Sequence, residues 1–245
     1  MSDGGGAAGP KPIAVRERLI FALDVPTPDA ARELVERLGE AVGFYKVGLE
    51  LAMDPGYWPL VEWLRGCGKR VFCDLKLFDV PETVGRAVAR LAGGRADLVT
   101  VHGNDGMLRA AAAAKGERGL RVLAVTALTS LDRGDLDDLG FATDVEALVL
   151  SRARRALALG CDGVVSSGLE AAALRAELGP RLLIVVPGIR PVANVDDQKR
   201  TVDVEEAFRR GADHIVVGRP IRDAPDPRAA AEAIQERIAA VFAAS

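Results

Sequence analysis

The chain has 245 residues, 49% of them hydrophobic, with 32 Lys and Arg against 35 Asp and Glu for a formal net charge of −3. That length exceeds the usual single core but suits a one-domain α/β barrel, and the weak charge leaves no electrostatic footprint for nucleic acid or an anionic membrane. Cys67, Cys73 and Cys161 form no CxxC pair or Cys/His cluster, which argues against a disulfide framework and a zinc site and favours a reducing cytosol.

Residues 1–12 are rich in Gly, Ala and Pro without an apolar signal-peptide core, so they read as a disordered tail ahead of a single domain at 13–245. No apolar run approaches the roughly 18 residues needed to span a bilayer, and a soluble, cytoplasmic protein with no membrane partner is expected. From Leu19 onward, short β-rich apolar runs alternate with longer amphipathic stretches. Strands are predicted at Leu19–Asp24, Phe44–Gly48, Arg70–Leu75, Leu98–His102, Arg121–Leu128, Gly163–Ser166, Leu182–Pro187 and His214–Gly218. Helices are predicted at Pro28–Leu38, Pro55–Arg65, Pro81–Leu91, Asp105–Lys115, Asp144–Leu159, Leu169–Leu178, Val204–Arg210 and Pro227–Phe242, several opened by Pro or Asp. Eight β/α units in strict alternation predict a parallel sheet closed into a (β/α)8 TIM barrel. An open doubly wound sheet is the alternative, but no GxGxxG follows the first strand.

The most informative segment is Phe72-Cys73-Asp74-Leu75-Lys76-Leu77-Phe78-Asp79-Val80-Pro81, which sets three opposed charges in a stretch otherwise built for burial. Desolvated charges are costly unless paired. Residues two apart on a strand share a face, so Asp74 and Lys76 project together from the strand end while Asp79 lies on the loop beyond. A structural ion pair would explain any two of these charges; three at the mouth of a parallel barrel point to a site. The other predicted strand ends are polar too: Asp24, Lys46, His102, Thr126 or Thr129, Ser166, Arg190 just past Pro187-Gly188, and Gly218-Arg219. After the seventh strand, about a dozen residues to Arg200 carry no apolar periodicity, as a lid would. The loops after strands 7 and 8 form the usual phosphate site of such barrels, where Arg219 can bind bidentately beside Gly218.

These residues resemble the orotidine 5′-phosphate decarboxylase family from about Arg18 to the end. The resemblance rests on an ordered set: Phe21-Ala22-Leu23-Asp24, Tyr45-Lys46-Val47-Gly48, the DxKxxD run continuing through Val80-Pro81-Glu82-Thr83, Leu128-Thr129-Ser130, Pro187-Gly188-Ile189-Arg190, Asp197-Gln198-Lys199-Arg200-Thr201, and Val217-Gly218-Arg219. Glu82 departs from it, standing where the family usually has Asn. The resemblance implies a homodimeric barrel that uses no metal or organic cofactor and decarboxylates orotidine 5′-phosphate. It implies that Asp24 and Lys46 hold the ribose hydroxyls, that Asp74 faces the substrate carboxylate, and that Lys76 donates the proton replacing CO2. It further implies that Asp79 and Thr83 enter the neighbouring subunit's site and that Thr129 or Ser130 reads the pyrimidine. Gln198, Arg219 and the Gly218 backbone would bind phosphate, with Arg190 supporting a closed lid.

Two rivals share parts of this pattern. A Mg2+-dependent sugar-phosphate decarboxylase branch has the DxKxxD run, but an acidic metal ligand stands where this chain has Lys46. A non-catalytic phosphate-binding barrel would have no need of the full charged array. His102 and His214 read as structural, and Cys73 as packing on the strand face opposite Asp74.

Overall fold

A computed structural model describes residues 13–102, 104–117, 119–128, 133–138, 140, 142–189 and 202–243. Eight parallel strands close into a barrel in sequence order: β1 Leu19–Ala22, β2 Phe44–Val47, β3 Arg70–Leu77, β4 Leu98–His102, β5 Arg121–Val125, β6 Gly163–Val165, β7 Leu183–Val186 and β8 His214–Val217. The helices are α1 Pro28–Leu38, α2 Leu49–Ala52, α3 Tyr57–Gly66, α4 Pro81–Leu91, α5 Asp105–Ala114, α6 Arg133–Asp138, α7 Val145–Ala158, α8 Ala171–Leu178, α9 Val204–Arg209, α10 Arg219–Arg222 and α11 Pro227–Ala243. The (β/α)8 barrel is therefore the fold. Most predicted strands run one to three residues too far at their C-terminal ends, where the chain leaves the regular ladder while single inter-strand bonds persist, such as Leu23 N to the Lys46 carbonyl at 3.0 Å and Ser166 N to the Val185 carbonyl at 3.1 Å. The proposed tail at 1–12 lies outside the described residues.

The alternation of strand side chains divides the core in two. Ile20, Ala22, Phe44, Phe72, Leu98, Leu123, Leu183, Val185 and Val216 fill the barrel interior. Leu19, Phe21, Tyr45, Val71, Val99 and their equivalents pack outward against the helices. Helices present matching stripes, as in α4, where Val84, Val88 and Leu91 are buried at helical spacing. Their starts are capped in the expected way: Thr27 accepts from Ala30 N at 3.2 Å, and Asp144 and Asp203 accept from Ala147 N and Glu206 N, each at 2.7 Å.

The N-terminal face carries a recurring device that periodicity does not reveal. Asp97, Asp162 and Asp213 each stand one residue before an even-numbered strand and accept from the backbone N–H of the preceding strand, at Val71, Val122 and Ile184, all at 2.8 Å. Each carboxylate is also paired with a cation, Arg65 and Arg70, Lys115, and Arg175 respectively. They pin the barrel register at the face away from the chemistry.

His214 at the start of β8 is structural, as expected. It is buried edge-on against Phe44, with Nδ1 2.9 Å from the Glu17 carbonyl. Burial, the dominant cause, pushes its imidazole down to about 3, so the ring is neutral and donates to that carbonyl. The unfolded chain therefore takes up a proton near pH 6.5 that the folded chain refuses, and stability is full above that pH and falls as pH drops towards 3. One such site gives a slope of at most about 1.4 kcal/mol per pH unit. His214→Gln should flatten the fall in urea midpoint between pH 7 and 5 at fixed protein concentration; an unchanged fall would refute this role.

Candidate active site

At the C-terminal face the inward-facing file of several strands ends its apolar run and meets a polar residue or glycine two positions on. Ala22 leads to Asp24, Phe44 to Lys46, Phe72 to Asp74, Leu98 to Thr100 and Val216 to Gly218. Asp24, Lys46, Asp74 and Gly218 rim a cavity of about 430 Å³ floored by Ala22, Phe72, Val125, Val165 and Val216, while Thr100 lies buried beneath Asp74 and Lys76. Asp24, Lys46, Asp74 and Lys76 stand at the ends of β1, β2 and β3, Gly218, Arg219 and Arg222 follow β8 next to Asp24, and Pro187, Gly188 and Ile189 follow β7. An apolar floor under a few convergent charges suits a ligand with a flat ring and an anionic tail.

The charges form one continuous array. Lys76 Nζ lies 2.9 Å from Asp74 Oδ2, Lys46 Nζ lies 3.8 Å from the same oxygen, and Lys46 Nζ also lies 2.9 Å from Asp24 Oδ1. The Lys46 and Asp74 side chains are each only 13% exposed, so the pairing acts in a poorly solvated setting, whereas Asp24 at 51% opens to solvent. Among the described residues no group of three or more His, Cys, Asp and Glu is arranged to hold a metal ion. The Lys46 ammonium, within 4 Å of both carboxylates, opposes a divalent cation there.

Lys76 is held in an unusual backbone state. Cys73 pairs with Val99 but Leu77 pairs with Val101, so β3 spends four residue steps where β4 spends two. This bulge adds two residues to β3 and carries the strand to Leu77, beyond the predicted end at Leu75. Within it, Lys76 has φ +45°, the one non-glycine residue with positive φ among those described. A lysine in the left-handed region costs about 1–3 kcal/mol, which the surroundings must supply. Thr100, wholly buried on β4, answers it: its Oγ1 accepts from Lys76 N at 2.9 Å and donates to Asp74 Oδ1 at 2.9 Å.

Other expected positions fall differently. Asp79 is exposed past the end of β3, absent from the cavity wall, and its carboxylate accepts from its own neighbour Val80 N at 2.6 Å. Phe78 and Val80 on either side are large exposed apolar residues, at 67% and 61%. Thr83 lies half-buried in the first turn of α4. Glu82 is the second residue of that helix, where a carboxylate suits the N-terminal dipole, and it pairs with Arg86 at 3.2 Å. Thr129, Ser130, Arg190 and Gln198 lie outside the described residues. Thr126 and Ser166, read as strand ends, are buried away from the cavity, because Val125 and Val165 take the inward positions and the next residue faces outward. The Thr126 hydroxyl is spent on the Val165 carbonyl at 3.0 Å.

His102 stands outside the array, edge-on to Phe78, and lines a neighbouring cavity with Arg152 and Asp105. Burial, reinforced by Arg152 and Lys76, lowers its imidazole below the ordinary value. Burial also pushes the Cys73 thiol up to about 11, which leaves no thiolate nucleophile beside Asp74. Arg222, missed in the sequence, joins the cavity wall beside Asp24 and donates from Nη1 to the Asp24 carbonyl at 2.7 Å. It lies three residues past Arg219 on the single turn α10, a helix too short to leave a periodic signal. Gly188 takes φ +76°, which explains the glycine after Pro187.

Residues 17–234 match the family described as Orotidine 5'-phosphate decarboxylase / HUMPS family. The chain belongs to this family. It is 64% identical over 236 residues to the orotidine 5'-phosphate decarboxylase of Methylococcus capsulatus, a match covering 96% of this chain and 97% of that protein. The decarboxylase of the same name from Rhodopseudomonas palustris is 52% identical over 227 residues, covering 92% of this chain and 96% of its own length. Among solved structures, the orotidine 5'-phosphate decarboxylase of Lactobacillus acidophilus superposes with a TM-score of 0.80 at 34% identity, covering 91% of this chain and 99% of that one. Among the described residues, no helix is long and apolar enough to cross a membrane.

Proposed function

We propose that Lys76 delivers the proton in the decarboxylation of orotidine 5′-monophosphate to uridine 5′-monophosphate, the last step of de novo pyrimidine synthesis and the activity that family membership assigns. The observation that carries this assignment is the Asp24–Lys46–Asp74–Lys76 array at the rim of an apolar-floored cavity. Loss of CO2 from C6 leaves an electron pair in the ring plane, where the pyrimidine π system cannot delocalise it. The protein must then stabilise that charge electrostatically, and a fixed ammonium beside C6 does so and supplies the proton.

Asp74 faces the substrate carboxylate in this reading. Repulsion between two charges near 4 Å is worth only about 4 kcal/mol at an effective dielectric of 20, against total barrier reductions of about 8–23 kcal/mol. Lys76 and remote binding energy must supply the larger share. Asp24 and Lys46 hold the ribose, while Arg219 and the Gly218 backbone grip the phosphate, with Arg222 beside them. Thr129 or Ser130 reads the pyrimidine edge, and Gln198 and Arg190 close over the phosphate. The protein acts as a homodimer in a cytoplasmic setting, Asp79 and Thr83 entering the partner's cavity. The exposed Phe78 and Val80 around Asp79 support that arrangement, since apolar side chains flanking a charge gain by being covered.

The test is loss of orotidine 5′-monophosphate ultraviolet absorbance, with and without a chelator. Turnover unaffected by chelator is expected; turnover that needs added Mg2+ would favour the sugar-phosphate branch. Arg219→Ala should weaken binding of phosphorylated ligands about 10- to 100-fold, in line with about 1.5–3 kcal/mol for hydrogen bonds to a charged group. A substrate lacking phosphate should be far less affected, and equal losses for both would remove Arg219 from the phosphate site.

A further inference from the structure

Thr100 has no role in the assignments above, and its chemistry in this fold is unusually constrained. Its hydroxyl has a single proton. Asp74 Oδ1, 2.9 Å away, is a carboxylate oxygen that only accepts, so the proton must point there. The oxygen is then left to accept from Lys76 N, also at 2.9 Å. One buried atom therefore fixes the carboxylate that holds Lys76 Nζ and the backbone from which that side chain springs. The bulge makes this necessary: a backbone N–H displaced from regular pairing needs another acceptor when solvent is excluded. A β-branched side chain suits the task because few χ1 states are open to it.

We propose that Thr100 is a positioning residue for decarboxylation, its hydroxyl locking the Lys76 backbone and the Asp74 carboxylate in one relation so that Nζ is presented to C6. The proposal rests on the reading of Lys76 as proton donor. Without the hydroxyl, the strain at Lys76 has no compensating bond and Asp74 loses the hydrogen bond that holds its Oδ1, keeping only the lysines at Oδ2. The ammonium then stays in the site but is misplaced. The loss should fall on kcat, because phosphate and ribose contacts lie on other strands.

Thr100→Val keeps shape and burial but removes the hydroxyl, whereas Thr100→Ser keeps the hydroxyl. The valine variant should lose about 100-fold in kcat, the scale of an ångström-level misplacement, with affinity for uridine 5′-monophosphate within a few-fold of wild type. The serine variant should recover most of the rate. If Thr100→Val does not fold, Thr100→Cys, with only a weak donor and acceptor, makes the same comparison with serine. Near-wild-type kcat in the variants lacking the hydroxyl would overturn the proposal, as would equal losses with serine or a matching loss of nucleotide affinity. Lys76→Ala is measured alongside: full activity there sinks the proton-donor reading itself, whereas a dead Lys76→Ala with an active Thr100→Val sinks only the role of Thr100.

Discussion

Lys76→Ala is expected to abolish decarboxylation while uridine 5′-monophosphate still binds within a few-fold of wild type. Two contributions vanish together, the proton donor and the fixed cation beside the developing charge. General acid catalysis contributes about 10²–10⁴-fold, and one electrostatic stabiliser about 10²–10³-fold, so a fall in kcat of at least about 10⁴-fold is expected. The fold should persist, because Asp74 keeps Thr100 at 2.9 Å and Lys46 at 3.8 Å as partners and is not left as an uncompensated buried charge. Binding should persist because Arg219 and Arg222 follow β8, three strands around the barrel from Lys76 on β3. The readouts are single-turnover absorbance and calorimetric titration of the product nucleotide. Near-wild-type turnover would remove Lys76 from the chemistry, and a parallel collapse of nucleotide binding would make its role one of architecture.

The barrel was legible because most strands are written as short apolar runs and the longer helices as apolar stripes, some opened by a capping residue, as in Thr27-Pro28 and Asp144. The array was legible because charge inside an apolar run is physically anomalous, and strand alternation alone puts Asp74 and Lys76 on one face. What escaped detection has a shared cause. α2 and α10 are four residues long, barely one turn, too short for a hydrophobic period to repeat. The bulge at Asp74–Lys76 was invisible because nothing in a lysine announces a positive φ; it follows from pairing with β4, a contact distant in sequence. Thr100 was passed over for the same reason. Inside Leu98–His102 it reads as an ordinary β-branched strand residue, and only the partner strand gives its hydroxyl a purpose. The Thr126 and Ser166 assignments failed because the strands were read too long, and overrunning a strand by one residue moves the last side chain to the opposite face.

The proposed dimer carries the second large effect. Asp79 belongs to the DxKxxD run yet does not line its own chain's cavity, and its carboxylate turns back to Val80 N. A two-fold axis that covers Phe78 and Val80 would carry Asp79 towards the partner's array, with Thr83 following on α4. Lys46, by contrast, stands in its own chain's cavity wall. Lys46→Ala and Asp79→Ala should each be inactive alone for reasons that lie in different subunits of any one site. When the two variants exchange subunits, a mixed dimer holds one site with both defects and one with neither. Random reassortment makes about half the dimers mixed, so about a quarter of wild-type activity should return, the limit set by isologous two-fold symmetry. Exchange is followed by native mass spectrometry of differently tagged chains, and activity by absorbance on the same samples. If mixed dimers form and no activity returns, Asp79 serves its own subunit, and the loop after β3 must then fold back over the cavity it leaves open in the isolated chain.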